Sequence, residues 1–313
     1  MNLTRRVRFL VSAFAAVIVL AGSSPALAQQ SARIRDVVYG HKFGMALTFD
    51  VLKPTKPNGA GVIYMVSGGF NSDIAAVEAG IFGPARYMPF LQRGYTVFLV
   101  CHGSQPKFTV SEIVADIHRS VRFIRAHAKD YGVDPDRLGI TGVSSGGFLA
   151  LTIGAKGTPG DPNAKDAVDR ASSRVQAVGC FCPSSDLVDY GKTGRCILEY
   201  EPVKFAWHVF GLEGKSRDEQ IKALRELSPF DFITKQTPPT LIIHGDADPL
   251  VPYEQSERFD AKLAENGVPH RLVTRMNAGH VWLDIAKDFA VVADWFDKYL
   301  LGTDDRKRNE PPY

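Results

Sequence analysis

The chain has 313 residues, of which 45% are hydrophobic and 23% are charged. These values are typical of a globular protein with a well-buried core, and the length is large for one domain but within the range of an α/β fold. The net charge is +3, and residues 1–28 carry three arginines and no acid. The rest of the chain is therefore neutral, which argues against a nucleic acid or an anionic membrane as its partner.

The first 28 residues have the pattern of a secretory signal peptide. A basic stretch, an apolar run and a small-residue cleavage site follow one another at 5–8, 9–22 and 26–28. The apolar run is shorter than the roughly 20 residues of a membrane span, so an uncleaved anchor is the minor alternative. We predict export to the periplasm or the outside medium, no stable membrane insertion after cleavage, and one domain over residues 29–313.

Strand-like and helix-like segments alternate from about residue 60 onward, after a first alternating strand. The predicted strands are 46–52, 61–66, 95–101, 137–142, 175–182, 240–245 and 270–276. Several are short continuous apolar runs, which are typical of strands buried on both faces. This order predicts a mostly parallel sheet with helices on both faces.

Capping signals predict where two of the helices begin. Thr109 with Glu112, and Ser216 with Glu219, have the form of a capping box ahead of amphipathic stretches. A last helix is predicted over residues 283–300, where apolar side chains recur at helical spacing.

Residues 183–236 separate two predicted strands by more than an ordinary crossover. This segment, called the insertion below, carries its own helix and several aromatic residues, among them Trp207. A lid over a binding site and a satellite helical layer packed on the body are the two interpretations.

The four cysteines are Cys101, Cys180, Cys182 and Cys196. Their spacing does not match a metal site, and we predict neither a metal nor a cofactor. Cys101 and Cys180 are interpreted as small buried hydrophobes. Because export permits disulfides, Cys182 with Cys196 is the most plausible bridge.

The sequence G-V-S-S-G at 142–146 joins a predicted strand directly to a helix. In this context G-x-S-x-G holds a serine in a strained turn at a helix N-terminus, with its hydroxyl clear of the sheet. Gly142 and Gly146 must lack side chains so that strand and helix can approach. Ser144 is the predicted nucleophile, and the backbone N–H of Ser145 is a predicted donor to an oxyanion.

A serine nucleophile needs a base and an acid that orients it, and two later loops supply them. The loop after the 240–245 strand offers Asp246 and Asp248, of which Asp248 is preferred because it opens the D-x-x-V-P turn. The loop after the last strand offers His280, which is expected to start the final helix.

The second oxyanion donor is expected in the loop after the 61–66 strand, which reads Ser67-Gly68-Gly69-Phe70. Gly69 is the first choice, accompanied by Gly68 or Phe70, because consecutive glycines let N–H groups point inward. Phe70, His102 and Trp207 are candidate pocket residues, although a loop histidine with satisfied hydrogen bonds is the preferred interpretation of His102.

With these residues in place, the chain resembles the α/β-hydrolase superfamily over about residues 35–300. Three stretches carry the resemblance, at 46–54, 131–147 and 228–252. It is similar to exported esterases related to feruloyl and acetyl-xylan esterase modules, and to prolyl-oligopeptidase-type catalytic domains. The resemblance implies the α/β-hydrolase fold, with an eight-stranded sheet and a lid-like insertion. The chain departs from the family pattern where a histidine usually precedes the oxyanion glycines.

These residues predict a serine hydrolase that cleaves carboxylic esters through an acyl-enzyme. The expected substrate is a small-molecule ester linked to a carbohydrate or a phenolic group. Two alternatives remain open. One is a peptidase or aminoacyl hydrolase, although the chain has no room for the propeller that such relatives use. The other is a non-catalytic sugar- or phenolic-binding protein on the same fold.

Overall fold

The computed structural model describes residues 32–80, 83–191 and 195–303, with the backbone alone for residues 203–207. The described residues belong to one unit, Ser31–Tyr313. The predicted signal peptide at 1–28 lies outside the described residues. None of the helices described is long and apolar enough to cross a membrane.

Eight strands form one sheet in the order β1-β2-β4-β3-β5-β6-β7-β8. Their bounds are β1 (Ala32–Lys42), β2 (Met45–Lys53), β3 (Gly61–Met65), β4 (Thr96–Val100), β5 (Leu138–Val143), β6 (Ala177–Phe181), β7 (Thr240–Gly245) and β8 (His270–Arg275). The pairs β1–β2 and β2–β4 are antiparallel, and the other neighbours are parallel. The predicted mostly parallel, eight-stranded sheet is confirmed.

The edge strand β1 is the one strand that the apolar pattern did not indicate. Its side chains are mostly exposed or half-buried, and irregularities in its pairing with β2 fall between Ile34 and Val37 and between Val38 and Gly40. These irregularities break the strict alternation by which a half-buried strand is recognised.

The hydrophobic core lies on both faces of the sheet, in agreement with the prediction that helices cover both faces. On β3, Ile63 and Met65 pack on the same side as helices α3 (Val110–Ala126) and α4 (Ser145–Lys156). The alternate residues, Val62 and Tyr64, pack on the opposite side with α2 (Met88–Gln92) and α7 (Ile285–Leu301). Because both faces are covered, the central strands are continuous apolar runs.

The remaining helices are α1 (Ile74–Ala79), α5 (Arg217–Leu227) and α6 (Glu254–Glu265). Both predicted capping boxes are present, with Glu112 accepting from the Thr109 N–H at 2.9 Å and Glu219 from the Ser216 N–H at 2.8 Å. Helix α7 begins at Ile285, two residues later than predicted.

The insertion at 183–236 both packs on the body and borders a cavity. Leu224 and Leu227 of α5 join the hydrophobic core. Ahead of α5, two 3₁₀ segments, Ile197–Glu199 and Glu201–Phe210, border the cavity described below.

All four cysteines are free, so the Cys182–Cys196 disulfide expectation is wrong. The two thiols have separate partners. Cys182 Sγ lies 3.4 Å from the backbone oxygen of His280, and Cys196 Sγ accepts from Arg217 Nη1 at 3.1 Å. Each sulfur is thus committed to a different part of the structure.

Reducing agents should therefore leave the stability of the native protein unchanged. We expect the same melting temperature with and without dithiothreitol, because the covalent loop closure that would stabilise a bridged chain is absent. Denatured without reductant, the protein should titrate four thiols with a chromogenic disulfide reagent. Two thiols and a melting temperature lowered by reductant would contradict the free-thiol structure.

Candidate active site

Ser144 lies at the turn between β5 and α4, in a backbone conformation that few side chains adopt. Its φ is +57°, and it occupies the position just before the first residue of α4. A Cβ atom on Gly142 would overlap the backbone oxygen of Gly146, and one on Gly146 would lie 2.9 Å from the oxygen of Met65. Gly142 therefore permits the close approach of β5 and α4 that presents Ser144, and Gly146 permits α4 to approach β3.

Ser144, His280 and Asp248 form a continuous chain of hydrogen bonds. Ser144 Oγ lies 2.9 Å from His280 Nε2, and His280 Nδ1 lies 2.6 Å from Asp248 Oδ2. Asp248 follows β7 and His280 follows β8, so parallel strands bring both loops to the carboxyl edge of the sheet. His280 lies in a loop ahead of Ile285, so the expectation that it starts the final helix is wrong.

Asp246, the alternative acid, does not contact His280. Its Oδ1 accepts from the backbone N–H of Asn277 at 2.6 Å, and its own N–H donates to Arg275 O at 3.2 Å. Asp246 thus ties the loop after β7 to the loop after β8.

The carboxylate of Asp248 accepts four hydrogen bonds. Oδ1 accepts from the backbone N–H groups of Leu250 at 2.8 Å and Val251 at 3.0 Å. Oδ2 accepts from His280 and, at 3.1 Å, from His244 Nε2. A buried carboxylate with its lone pairs occupied in this way is held both ionised and in one orientation.

His244 is a site residue that sequence reasoning missed. Its ring is fully buried, Nε2 lies within reach of Asp248 and of Val251 O, and Nδ1 lies 2.6 Å from Ser256 Oγ. Both partners of Nε2 are acceptors, which assigns the proton to Nε2. The sequence feature that could have identified His244 is its place at the end of a buried strand, four residues before Asp248.

The acid and the base shift each other's proton affinity. Burial alone would raise the pKa of Asp248, but hydrogen bonds from His244 and His280 lower it below its usual range. Burial disfavours charge on His280, yet its hydrogen bond to Asp248 outweighs this and raises the pKa of His280 above its usual range. Asp248 therefore stabilises the imidazolium form.

Besides the contact with Asp246, hydrogen bonds and an ion pair on either side anchor the loop that carries His280. The thiol of Cys182, the residue after β6, donates to His280 O. On the other side, Trp282 Nε1 donates to Asp288 Oδ2 of α7 at 2.7 Å, and Arg275 of β8 pairs with the same carboxylate. The backbone of the base is thus fixed against three elements.

Among the described side chains, Cys182, Asp248 and His280 are a group that could hold a metal ion. Their ligand atoms lie within 4.8 Å of one another. An ion bound between His280 Nδ1 and Asp248 would displace the proton that they share. Metal binding there and the intact Ser144–His280–Asp248 chain therefore exclude each other.

The loop after β3 brings backbone N–H groups toward the Ser144 turn. The N–H of Gly68 donates to Asn71 O at 2.9 Å, so the expectation that Gly68 donates to an oxyanion is wrong. The N–H of Phe70 donates to Ser145 Oγ at 3.1 Å. The N–H groups of Gly69 and Ser145 are the predicted donors left for an oxyanion.

A cavity of about 470 Å³ lies beside Ser144 and His280. Its wall is mainly apolar and includes Phe70, Phe148, Ile197, Val209, Phe210, Leu250, Val251 and Val281. Polar groups at its margin are Asn71, Arg86, Gln105, Ser184 and Tyr190. The ring of Phe70 meets Phe148 and Phe210 edge to face, with centroids 5.7 and 6.4 Å away.

Of the three candidate pocket residues, Phe70 lines this cavity. His102 lines a separate depression beside Met45 and Lys107, so its assignment to the pocket is wrong. Its ring is buried against Gly103 O at 2.8 Å, and burial lowers its pKa to about 4. The side chain of Trp207 lies outside the described residues.

Solved structures share this fold. A truncated carbohydrate esterase from gut microbiota superposes with a TM-score of 0.72 and 22% identity, covering 88% of this chain and 99% of its own. A thermophilic esterase of Thermogutta terrifontis, Est2, has a TM-score of 0.66 and 22% identity over 89% and 95% of the two chains. The protein therefore has the α/β-hydrolase fold.

The chain belongs to the BD-FAE family, which it matches over residues 49–263. Residues 222–309 also match the TAP-like protein family. Esterase LipQ of Mycobacterium tuberculosis is 26% identical over 196 residues, which are 63% of this chain and 44% of LipQ. The chain spans about half or less of the length of the first curated relatives that it matches.

The contact with Asp248 predicts how any reaction that uses His280 as a base depends on pH. A base must be unprotonated, and the pKa of His280 is raised, so activity should fall with a midpoint above about 6.5 as the pH decreases. Asp248→Asn should move this midpoint to lower pH and reduce kcat by about 10⁴-fold. Initial rates on a short aryl ester between about pH 5 and pH 10 measure both effects.

Asp246→Asn is the matched control, because it alters a neighbouring carboxylate that does not contact His280. Its midpoint should equal that of the unmodified protein. An unshifted midpoint in Asp248→Asn would mean that this carboxylate does not set the pKa of the base.

Proposed function

We propose that the protein is a serine esterase that hydrolyses small carboxylic esters through an acyl-enzyme. The observation that carries this is the hydrogen-bonded chain from Ser144 Oγ through His280 to Asp248 at 2.9 and 2.6 Å, opening into a cavity. Esterases among the relatives and solved structures support it.

Acylation begins when His280 Nε2 takes the proton of Ser144 as Oγ attacks the ester carbonyl. The imidazolium that forms is stabilised by Asp248, which also keeps the Nδ1 proton in place. Because Asp248 accepts hydrogen bonds from two backbone amides and His244, it is already ionised and oriented before substrate binds. Little reorganisation is then needed during the step.

The carbonyl oxygen becomes an oxyanion as the tetrahedral intermediate forms. The N–H groups of Ser145, at the N-terminus of α4, and Gly69 are the proposed donors to it, and the dipole of α4 favours the same charge. One such donor is worth about 2.7–4 kcal/mol of barrier. His280 then protonates the leaving alcohol, and water repeats the sequence to release the acid.

The cavity supports a substrate with an apolar or aromatic portion. Phe70, Phe148 and Phe210 form an aromatic wall, while Asn71 and Ser184 offer polar groups at the margin. A phenolic acyl group or a sugar fits this division, because both combine an apolar face with hydroxyl groups. Similarity to a carbohydrate esterase and an acetyl ester-xyloside hydrolase agrees with a carbohydrate-linked ester.

We also propose that the protein acts after export, in the periplasm or outside the cell. The support is the basic, apolar and small-residue pattern of residues 1–28. No further partner is needed for the proposed chemistry.

Purified protein should hydrolyse 4-nitrophenyl acetate, and Ser144→Ala should reduce kcat/KM by at least about 10⁴-fold because no other nucleophile replaces the lost hydroxyl. A matched amino-acid 4-nitroanilide should react far more slowly. The control is Ser120→Ala, which removes a buried hydroxyl on α3 that donates to Ile117 O.

Ester turnover that survives in folded Ser144→Ala would overturn the proposal. Cleavage of the anilide at a rate comparable to the ester would instead indicate a peptidase or aminoacyl hydrolase. Stoichiometric binding of a sugar or phenolic ester without turnover would indicate a non-catalytic binding protein.

A further inference from the structure

The peptide unit between Gly69 and Phe70 is held at both of its ends. Its carbonyl oxygen accepts from Gln105 Nε2 at 3.2 Å, and its N–H donates to Ser145 Oγ at 3.1 Å. Both residues have a left-handed backbone, with φ of +55° at Gly69 and +64° at Phe70. This conformation is unfavourable for phenylalanine and persists where surrounding contacts impose it.

The hydroxyl of Ser145 connects the nucleophile turn to this loop. Ser145 is only 7% exposed, and its Oγ lies 3.0 Å from Ser67 Oγ as well as accepting from Phe70. The hydroxyl therefore contacts both ends of the 67–70 loop. Its own backbone N–H, on the first residue of α4, is one of the two proposed oxyanion donors.

Gln105 holds the same loop from the opposite side. Besides the carboxamide contact to Gly69, its backbone N–H donates to Phe70 O at 3.1 Å. Its Oε1 accepts from His208 Nε2 of the insertion at 2.8 Å, which fixes the orientation of the carboxamide. The Nε2 amino group of Gln105 is then directed to the carbonyl oxygen of Gly69.

We propose that the Ser145 hydroxyl and the Gln105 carboxamide are positioning groups that set the oxyanion donor of the loop. The inference rests on the proposed esterase function. Ser145 Oγ occupies the N–H of Phe70, and Asn71 O occupies that of Gly68, which leaves Gly69 as the donor. The Gly69 N–H belongs to the preceding peptide unit, whose Gly68 oxygen accepts from the Asn71 N–H at 2.9 Å. Holding the Gly69–Phe70 peptide fixes the other side of the Gly69 Cα atom, so the two peptide units together limit the movement of this donor relative to the N–H of Ser145.

One donor lies in the loop after β3 and the other on the first residue of α4, so neither segment alone fixes their spacing. Donors must lie about 2.7–3.1 Å from the position of the developing oxyanion. A misplacement of about 1 Å can cost about 10²-fold in rate. Contacts that act only on donor placement should therefore affect kcat more than substrate binding.

The test uses Ser145→Ala and Gln105→Glu in the full chain. Ser145→Ala keeps the backbone donor and removes only the hydroxyl. The glutamate at 105 still accepts from His208 but cannot donate to Gly69 O. With 4-nitrophenyl acetate, each variant should lose about 10- to 100-fold in kcat while KM stays within about twofold.

A boronic acid provides a second measurement, because it forms a tetrahedral adduct with a serine nucleophile and resembles the intermediate. Its inhibition constant should rise by a factor similar to the loss in kcat. Ser120→Ala should match the unmodified protein in both measurements. Melting temperatures identify any variant that fails to fold, and in that case the other variant decides the outcome.

Unchanged kcat and boronate affinity in the folded variants would overturn the proposal, as would a loss confined to KM. An unmodified protein with no ester turnover would instead overturn the proposed function. In that case the boronate measurement still tests whether Ser145 and Gln105 shape an anion-binding loop.

Discussion

Strand β5 and helix α4 come so close at Ser144 that Gly142 has no room for a Cβ atom, and Gly146 of α4 lies close to Met65 at the end of β3. The turn places Ser144 at φ +57°, a conformation that costs of order 1–3 kcal/mol. The Ser144 N–H bonds to Phe181 O of β6 at 2.9 Å, which fixes the turn against its neighbouring strand. Because β5 lies between β3 and β6, the loops of both reach the same point. The approach of the 67–70 loop and the Cys182 contact are consequences of that position.

The second constraint is a buried charge. Removing a carboxylate from water is costly unless donors replace the lost hydration. Asp248 obtains them from its own turn, through Leu250 and Val251, and from the histidines on either side. His244 has no contact with Ser144, yet without it one lone pair of the buried acid would be unsatisfied. The acid of the site is thus built as a network rather than as a pair.

The sequence was informative where one short segment determines the structure. The Ser144 turn, the buried strands and the acid at position 248 follow from local patterns, and they appear where predicted. Strand β1 was not predicted because its irregular pairing hides the alternation. The hydrogen bonds of the 67–70 loop were not predicted: the N–H of Gly68 donates to Asn71 O and that of Phe70 to Ser145 Oγ, and Ser145 lies 75 residues from Phe70 in the chain. Such long-range hydrogen bonds leave no local periodic pattern.

Moving the part of the insertion that lines the cavity would cost free energy. Val209 and Phe210, which line the cavity, are 2% and 7% exposed. Exposing each would cost about 1.5–3 kcal/mol, beyond about 1 kcal/mol for the His208–Gln105 hydrogen bond. A displacement of residues 208–210 is therefore a local unfolding event rather than a loop fluctuation. The segment acts as a fixed wall, and because it bonds to Gln105, its position and that of Gly69 depend on the same carboxamide.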